Sequence, residues 1–149
     1  MNERYLCRGK RKDNGELVDG YLYITHDGKY EIAKYCDETN IERIAYEVIP
    51  ETVGQCTGLR DKNGKLIFEG DILKGFSYPF LSEGEYNYYA VVVWLENSPA
   101  FGIYTIKNPK SKVRGISSGN TEYMDEWDSN NWEVIGNVYD NPELLEVER

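Results

Sequence analysis

Thr52-Val53-Gly54-Gln55-Cys56-Thr57-Gly58-Leu59-Arg60-Asp61-Lys62-Asn63-Gly64-Lys65-Leu66-Ile67-Phe68-Glu69-Gly70-Asp71-Ile72-Leu73 sets two apolar runs on either side of a polar turn, with glycines at 54, 58, 64 and 70. Residues 53–57 read as a short extended segment. Asp61-Lys62-Asn63-Gly64 reads as a tight turn, because Asp, Asn and Gly accept the backbone angles such turns require. Residues 66–68 and 72–73 follow as strand segments, with a bend or bulge at Gly70-Asp71, since glycine inside a strand pattern usually marks one. No helical period runs through the stretch, so it commits this part of the chain to β structure.

The same chemistry repeats outward from it. Upstream, residues 5–11, 17–25 and 29–35 are three short strands joined by Asp13-Asn14-Gly15 and His26-Asp27-Gly28, which makes a meander. Residues 41–49 suit one helical face as well as a strand; their β-branched residues and the closing Pro50 favour a strand. Downstream, Tyr88-Tyr89-Ala90-Val91-Val92-Val93-Trp94-Leu95 is almost continuously apolar and is expected at the centre of a sheet, covered on both faces. Residues 101–106 pair back against it. Residues 107–131 read as a long polar hairpin or loop, 132–139 as the last strand, and Asn141-Pro142 as the cap and first turn of a short terminal helix. The expectation is an all-β, β-rich protein: an N-terminal β-hairpin and meander subdomain over 1–58, packed on a C-terminal SH3-like small β-barrel subdomain over 59–149, with a short C-terminal helix.

At 149 residues, with 40% hydrophobic and 29% charged side chains, the chain can bury a core and keep a polar surface. No apolar run approaches the ~20 residues needed to cross a bilayer, and Met1-Asn2-Glu3-Arg4 lacks the apolar core of a signal peptide, so a cytoplasmic setting without membrane partners is expected. Cys7, Cys36 and Cys56 are widely spaced and contain no Cys-x-x-Cys pair, which points to reduced, buried thiols and neither a disulfide framework nor a zinc site. The formal net charge of −9 is concentrated at one end: between Asn120 and Arg149, nine acids face a single base. Just upstream, Lys107, Lys110, Lys112 and Arg114 form a run without acids. The overall balance argues against a general binder of nucleic-acid backbones.

Residues able to carry chemistry are few. His26 is the sole histidine and sits in turn sequence, which removes any two-histidine metal site. Asp61, Glu69 and Asp71 could meet around a divalent cation, but each also suits a turn or a solvated edge. The spacing Asp61-Lys62-Asn63-Gly64 does not match a calcium loop, whose glycine stands sixth and whose twelfth residue is glutamate. The glycines fit neither phosphate-binding fingerprint and precede no helix. No enzyme activity and no cofactor are therefore expected. Binding is better supported: Phe76, Tyr78, Phe80, Tyr86 and Tyr88 form an aromatic segment, with Lys107, Lys110, Lys112 and Arg114 as a basic neighbour. The favoured reading is a protein-interaction module using this aromatic loop and the acidic C-terminal face. The alternative is a nucleic-acid-binding small barrel using segments 8–12 (Arg8, Lys10, Arg11, Lys12) and 107–114. Exposed strand edges also make a homo-oligomer an expectation.

The motifs Thr52-Val53-Gly54-Gln55-Cys56-Thr57-Gly58-Leu59, Asp61-Lys62-Asn63-Gly64-Lys65, Phe68-Glu69-Gly70-Asp71-Ile72 and Val134-Ile135-Gly136-Asn137-Val138-Tyr139-Asp140-Asn141-Pro142-Glu143-Leu144-Leu145 occur in this order. Together with Arg8-Gly9-Lys10-Arg11 and Gly15-Glu16-Leu17-Val18-Asp19-Gly20-Tyr21, they give the chain a resemblance to the YopX-like family of phage and prophage proteins. The resemblance spans nearly the whole length and is weakest over 76–88 and 107–131. It implies a small, mostly β, phage-encoded protein of the host cytoplasm whose biochemical role is uncharacterised, and it carries over no catalytic residue; a host or phage protein as partner is the expectation of the interaction-module reading. Phe68-Glu69-Gly70-Asp71-Ile72-Leu73 also resembles the Gly-Asp turn entering a strand of SH3-like barrels, which licenses a shape and not a function.

Overall fold

The computed structural model describes residues 3–35, 43–76, 87–96, 99–107, 121–124 and 131–145. Cys36, Tyr78, Phe80, Tyr86, Lys110, Lys112 and Arg114 lie outside the described residues, as do most of 107–131 and the last residues of the acidic tail. The chain divides into two compact units, Met1–Gly58 and Leu59–Arg149.

In the first unit, β1 (Cys7–Lys10), β2 (Leu17–Ile24), β3 (Tyr30–Tyr35) and β4 (Arg43–Glu47) form the expected antiparallel meander, and β5 (Gly54–Arg60) returns beside β1, giving the order β4-β3-β2-β1-β5. The turn residues act as their chemistry predicts. The Glu16 N–H donates to Asn14 Oδ1 at 2.9 Å, and the Lys29 N–H donates to Thr25 Oγ1 at 3.0 Å. Beyond β1 the ladder continues: Arg11 bridges Val48, the Lys12 N–H donates to the Glu47 carbonyl at 3.0 Å, and the Ile49 N–H donates to the Lys10 carbonyl at 2.8 Å. The end of β4 therefore closes back on the first strand. Pro50 then fits the start of a 3-10 turn (Pro50–Thr52) that leads into β5. Inward residues Val18, Ile32 and Val48 form the core, with Leu22, Tyr30, Tyr46 and Val53 packed against them.

The second unit begins within β5, where Leu59 and Arg60 lead across the Asp61-Lys62-Asn63-Gly64 turn to β6 (Leu66–Phe68), next to β5 in the sheet order. The chain then leaves that sheet. β7 (Asp71–Phe76), β8 (Asn87–Leu95), β9 (Ala100–Lys107), β10 (Thr121–Tyr123) and β11 (Glu133–Asn137) form a five-stranded antiparallel sheet ordered β10-β9-β8-β7-β11. Each unit thus has the same strand order, the fifth strand beside the first and the second to fourth following outward.

Register places Leu73 opposite Ala90 and Val92 opposite Ile103 on one face, and these four pack with Ile67 of β6 into the second core. Leu59, Phe101, Met124, Trp132 and Val134 complete it. Tight packing of this kind follows from the apolar alternation, because each buried branched side chain contributes about 1.5–3 kcal/mol relative to exposure.

Several expectations change in detail. The central strand β8 is buried on the face of Ala90 and Val92 only; Val91 and Val93 are half-buried and Trp94 is exposed, its ring edge-on to Phe101 with centroids 5.0 Å apart. A nearly continuous apolar run looks alike whether one or both faces are covered. Of the hairpin or loop expected over 107–131, the described residues hold β10, paired antiparallel with β9, whose three residues are too few to carry a strand period. The terminal helix is a single 3-10 turn, Pro142–Leu145. The supposed bend at Gly70-Asp71 is a crossing from one sheet to the other.

Leu73→Ala is expected to cost about 2–5 kcal/mol by opening a cavity, whereas Tyr104→Ala on the opposite face costs well under half as much; urea unfolding of the two variants measures the difference.

Candidate functional site

The strand register brings the two segments picked out for binding to one end of the second unit's sheet. Phe76 pairs with Asn87, Gly75 with Tyr88, Lys74 with Tyr89, and Tyr89 with Lys107. The connection 77–86 therefore leaves β7 and enters β8 beside the point where β9 runs into 108–120. Of the candidate residues, Phe76, Tyr88 and Lys107 are placed here by their strand positions.

From this end a backbone row crosses the sheet in the order Glu133, Lys74, Tyr89 and Lys107, with Lys74 and Tyr89 on the face away from the core. Below it lie Ile72, Val91, Tyr104 and Thr121, and then Val93, Gly102 and Tyr123. Exposure rises across this face: Ile72 on β7 is fully buried, Val91 on β8 is half-buried, Tyr104 on β9 is 41% exposed and Tyr123 on β10 is 62% exposed. Exposed aromatics on adjacent strands of a rigid sheet offer large contact area at low entropic cost, the usual ingredients of a binding surface. Tyr104 and Tyr123 are absent from the sequence-level candidates. The clue to Tyr104 was alternation, because Phe101 and Ile103 face inward and the intervening positions must face out.

In the first unit the basic segment 8–12 is engaged by neighbours. The Arg11 guanidinium donates through Nε to Asp13 Oδ1 at 2.9 Å and through a terminal nitrogen to Oδ2 at 2.6 Å, while stacking over the Tyr46 ring 3.9 Å from its centroid. Lys12 Nζ lies 3.0 Å from Glu47 Oε1. The Arg11 hydrogen bond holds the Asp13 carboxyl below its ordinary value and raises the Arg11 guanidinium above its own. His26 is an exposed turn residue between β2 and β3.

Two of the carboxylates weighed as metal ligands, Asp61 and Asp71, accept from the backbone. Asp61 is 4% exposed; its Oδ1 accepts from the Asn63 and Lys65 N–H groups and its Oδ2 from the Val134 N–H, each at 2.9 Å. The Lys62 N–H adds a 3.0 Å bond to the Trp132 carbonyl. One side chain thus closes the β5–β6 turn and fastens β11 to it. Asp71, fully buried, accepts from the Phe68 N–H at 2.8 Å. Among the described residues no group of three or more His, Cys, Asp and Glu is placed to hold a metal ion, and no helix is long and apolar enough to cross a membrane.

A second backbone clasp adjoins the first. Gly70, at φ +90°, donates its N–H to the Val92 carbonyl and accepts from the Val138 N–H, both at 2.9 Å. Beyond β11, Asn137 Oδ1 accepts from the Tyr139 and Asp140 N–H groups at 3.0 Å each. The Asn137 N–H donates to Asn141 Oδ1 at 3.3 Å, an approach that leaves no room for a Cβ on Gly136. These residues are the motifs Phe68-Glu69-Gly70-Asp71-Ile72 and Gly136-Asn137-Val138-Tyr139-Asp140-Asn141, far apart in sequence and hydrogen-bonded in space. Compared with protein-family models, residues 7–146 match that of the YopX protein. The chain belongs to the YopX family. No curated protein matches it. The Asp61 and Gly70 clasps account for three of its motifs, 61–65, 68–72 and 134–145, and the outer sheet face is taken as the candidate site.

Asp61→Ala is expected to destabilise the protein by roughly 2–4 kcal/mol, because it strands three N–H groups; Asp61→Asn, which keeps its acceptor oxygen, costs less, as denaturant titration will register. The Asp13 contribution is fully present above the unfolded carboxylate value and is lost as pH falls through the lowered folded value. Arg11→Gln accordingly returns the Asp13 midpoint upward toward the ordinary carboxylate value, read by NMR titration of its side-chain carbon.

Proposed function

We propose that this YopX-family chain is a non-enzymatic phage or prophage accessory protein that acts in the bacterial cytoplasm by binding a host or phage protein. The observation that carries the reading is the graded exposure of tyrosines on the outer face of the β7–β11 sheet, reaching Tyr104 and Tyr123. That face adjoins the strand ends that bear Phe76, Tyr88 and Lys107. An aromatic patch beside a row of mixed charge and an acid-rich neighbouring sequence suits a protein partner of mixed chemistry.

The strand order β11-β7-β8-β9-β10 favours an SH3-like barrel for 59–149, and the equivalent order β5-β1-β2-β3-β4, with a 3-10 turn before its last strand, extends that reading to 1–58. Small barrels of this kind are scaffolds on which binding surfaces are placed, so the shape supports a module and does not name its ligand. The nucleic-acid alternative draws less support from segment 8–12, because Arg11 is committed to Asp13 and Tyr46, and Lys12 to Glu47.

Affinity capture from host-cell extract with the full chain and with Tyr104→Ser is the test. A specific protein retained by the parent and at least about tenfold weaker on the variant, with unchanged unfolding, is the expected result. Salt-sensitive retention of DNA or RNA in its place would favour the alternative, and retention of nothing by either bait would contradict the reading.

A further inference from the structure

Two Asn-Gly steps punctuate the described chain, Asn14-Gly15 and Asn63-Gly64, each in an exposed turn with its glycine at positive φ, +72° and +81°. Such a step carries a latent reaction. Glycine has no Cβ to obstruct the approach of its backbone nitrogen to the side-chain amide before it. When hydroxide removes the proton, the nitrogen attacks Cγ; the N–Cγ bond forms, the Cγ–Nδ2 bond breaks, and ammonia leaves with a proton taken from water. Water then opens the cyclic imide at either carbonyl, to aspartate or to isoaspartate, in which the main chain runs through the former side chain.

The two glycine nitrogens are held alike: the Gly15 N–H donates to the Arg11 carbonyl and the Gly64 N–H to the Asp61 carbonyl, both at 2.9 Å. The asparagine side chains are not. Asn14 is fixed at both ends, its Oδ1 accepting from the Glu16 N–H at 2.9 Å and its Nδ2 donating to Glu16 Oε2 at 3.3 Å. The Asn63 side-chain amide has no hydrogen-bond partner among the described residues and is free to bring Cγ to the Gly64 nitrogen. Charge separates the turns further. Arg60 donates through a terminal nitrogen to the Gly64 carbonyl at 2.7 Å, which sets a cation beside the nitrogen that must become an anion. An opposite charge at that range favours the charged form. Asp61 opposes it, but that carboxylate is already shared among three N–H groups. At Asn14 the neighbours are the carboxylates of Asp13 and Glu16, and the Arg11 cation is committed to Asp13.

We propose that Asn63 is a site of spontaneous deamidation in the folded protein, and that its conversion to isoaspartate releases the Asp61 clasp. The clasp requires the Asn63 and Lys65 N–H groups to converge on a single oxygen, Asp61 Oδ1, while Oδ2 holds the Val134 N–H. Isoaspartate inserts an extra carbon into the main chain between those two donors and pulls them out of register. The turn that fastens β11 thereby carries an irreversible ageing step, written in its own sequence and needing no enzyme.

The test incubates the full chain at neutral to mildly alkaline pH, folded and in concentrated urea, and follows Asn, Asp and isoaspartate at positions 14 and 63 by peptide-mapping mass spectrometry. Arg60→Gln and Arg60→Lys are carried in parallel. The expected result is deamidation at Asn63 at least about fivefold faster than at Asn14 in the folded chain, the factor that the side-chain hydrogen bonds of Asn14 imply. In urea the two rates converge. Arg60→Gln slows Asn63 and leaves Asn14 unchanged, and Arg60→Lys, which keeps the cation, restores much of the rate. The fraction with isoaspartate at position 63 shows faster amide exchange at Val134. Asn14 reacting as fast as Asn63 in the folded chain, or the same preference persisting in urea, would overturn the site. Indifference of Asn63 to Arg60→Gln would overturn the role of Arg60, and unaltered exchange at Val134 in the isoaspartate fraction would overturn release of the clasp.

Discussion

The carboxylate of Asp61, accepting three backbone N–H groups from two distant parts of the chain, is the interaction on which the second unit depends. An ionised carboxylate can satisfy several donors at once, and buried backbone donors without partners are costly, so one side chain here replaces what would otherwise need a longer ladder. It joins the β5–β6 turn to the first residues of β11, which in turn occupies the β7 edge of the five-stranded sheet. Gly70 supplies the complementary fastening at the other end of β11, where Val138 reaches its carbonyl. With both ends of β11 held, the core face of the sheet is covered by β6 and the opposite face is left to grade from buried at β7 to exposed at β10.

This arrangement explains why the most informative sequence motifs are not where binding is sought. Asp-Lys-Asn-Gly, Glu-Gly-Asp and Gly-Asn-Val-Tyr-Asp-Asn-Pro resemble ligand loops in composition, rich as they are in carboxylates and glycines. Oxygens of Asp61, Asp71, Asn137 and Asn141 accept from backbone N–H groups, and the glycines answer a positive φ at Gly70 and a close approach of Asn141 at Gly136.

Much of the fold was legible because its signals are local. Asn14-Gly15, Asp27-Gly28 and Asn63-Gly64 punctuate the strands as turn chemistry requires, and β2, β3, β4, β8 and β9 follow apolar alternation or β-branched runs to within a residue or two. What the sequence concealed is non-local. The three residues of β10 hold no period of their own and become a strand only through pairing with β9. That Asp61 reaches Val134 has no trace in spacing. The shared strand order of the two units is equally invisible, since it resides in topology and not in repeated residues. Of the candidate residues, Phe76, Tyr88 and Lys107 share one end of the sheet by backbone register, while Tyr104 and Tyr123 emerge only once the strands have register.

A division of labour between clasped motifs and an open tyrosine face is the central claim, and hydrogen exchange of the full chain with and without a captured protein partner tests it most directly. The account predicts new protection in 87–96, 99–107 and 121–124, with exchange at 61–72 and 134–145 unaltered. Protection concentrated at the Asp61 turn, Gly70 or the Asn137–Asn141 turn, with the β8–β10 face unchanged, would contradict it.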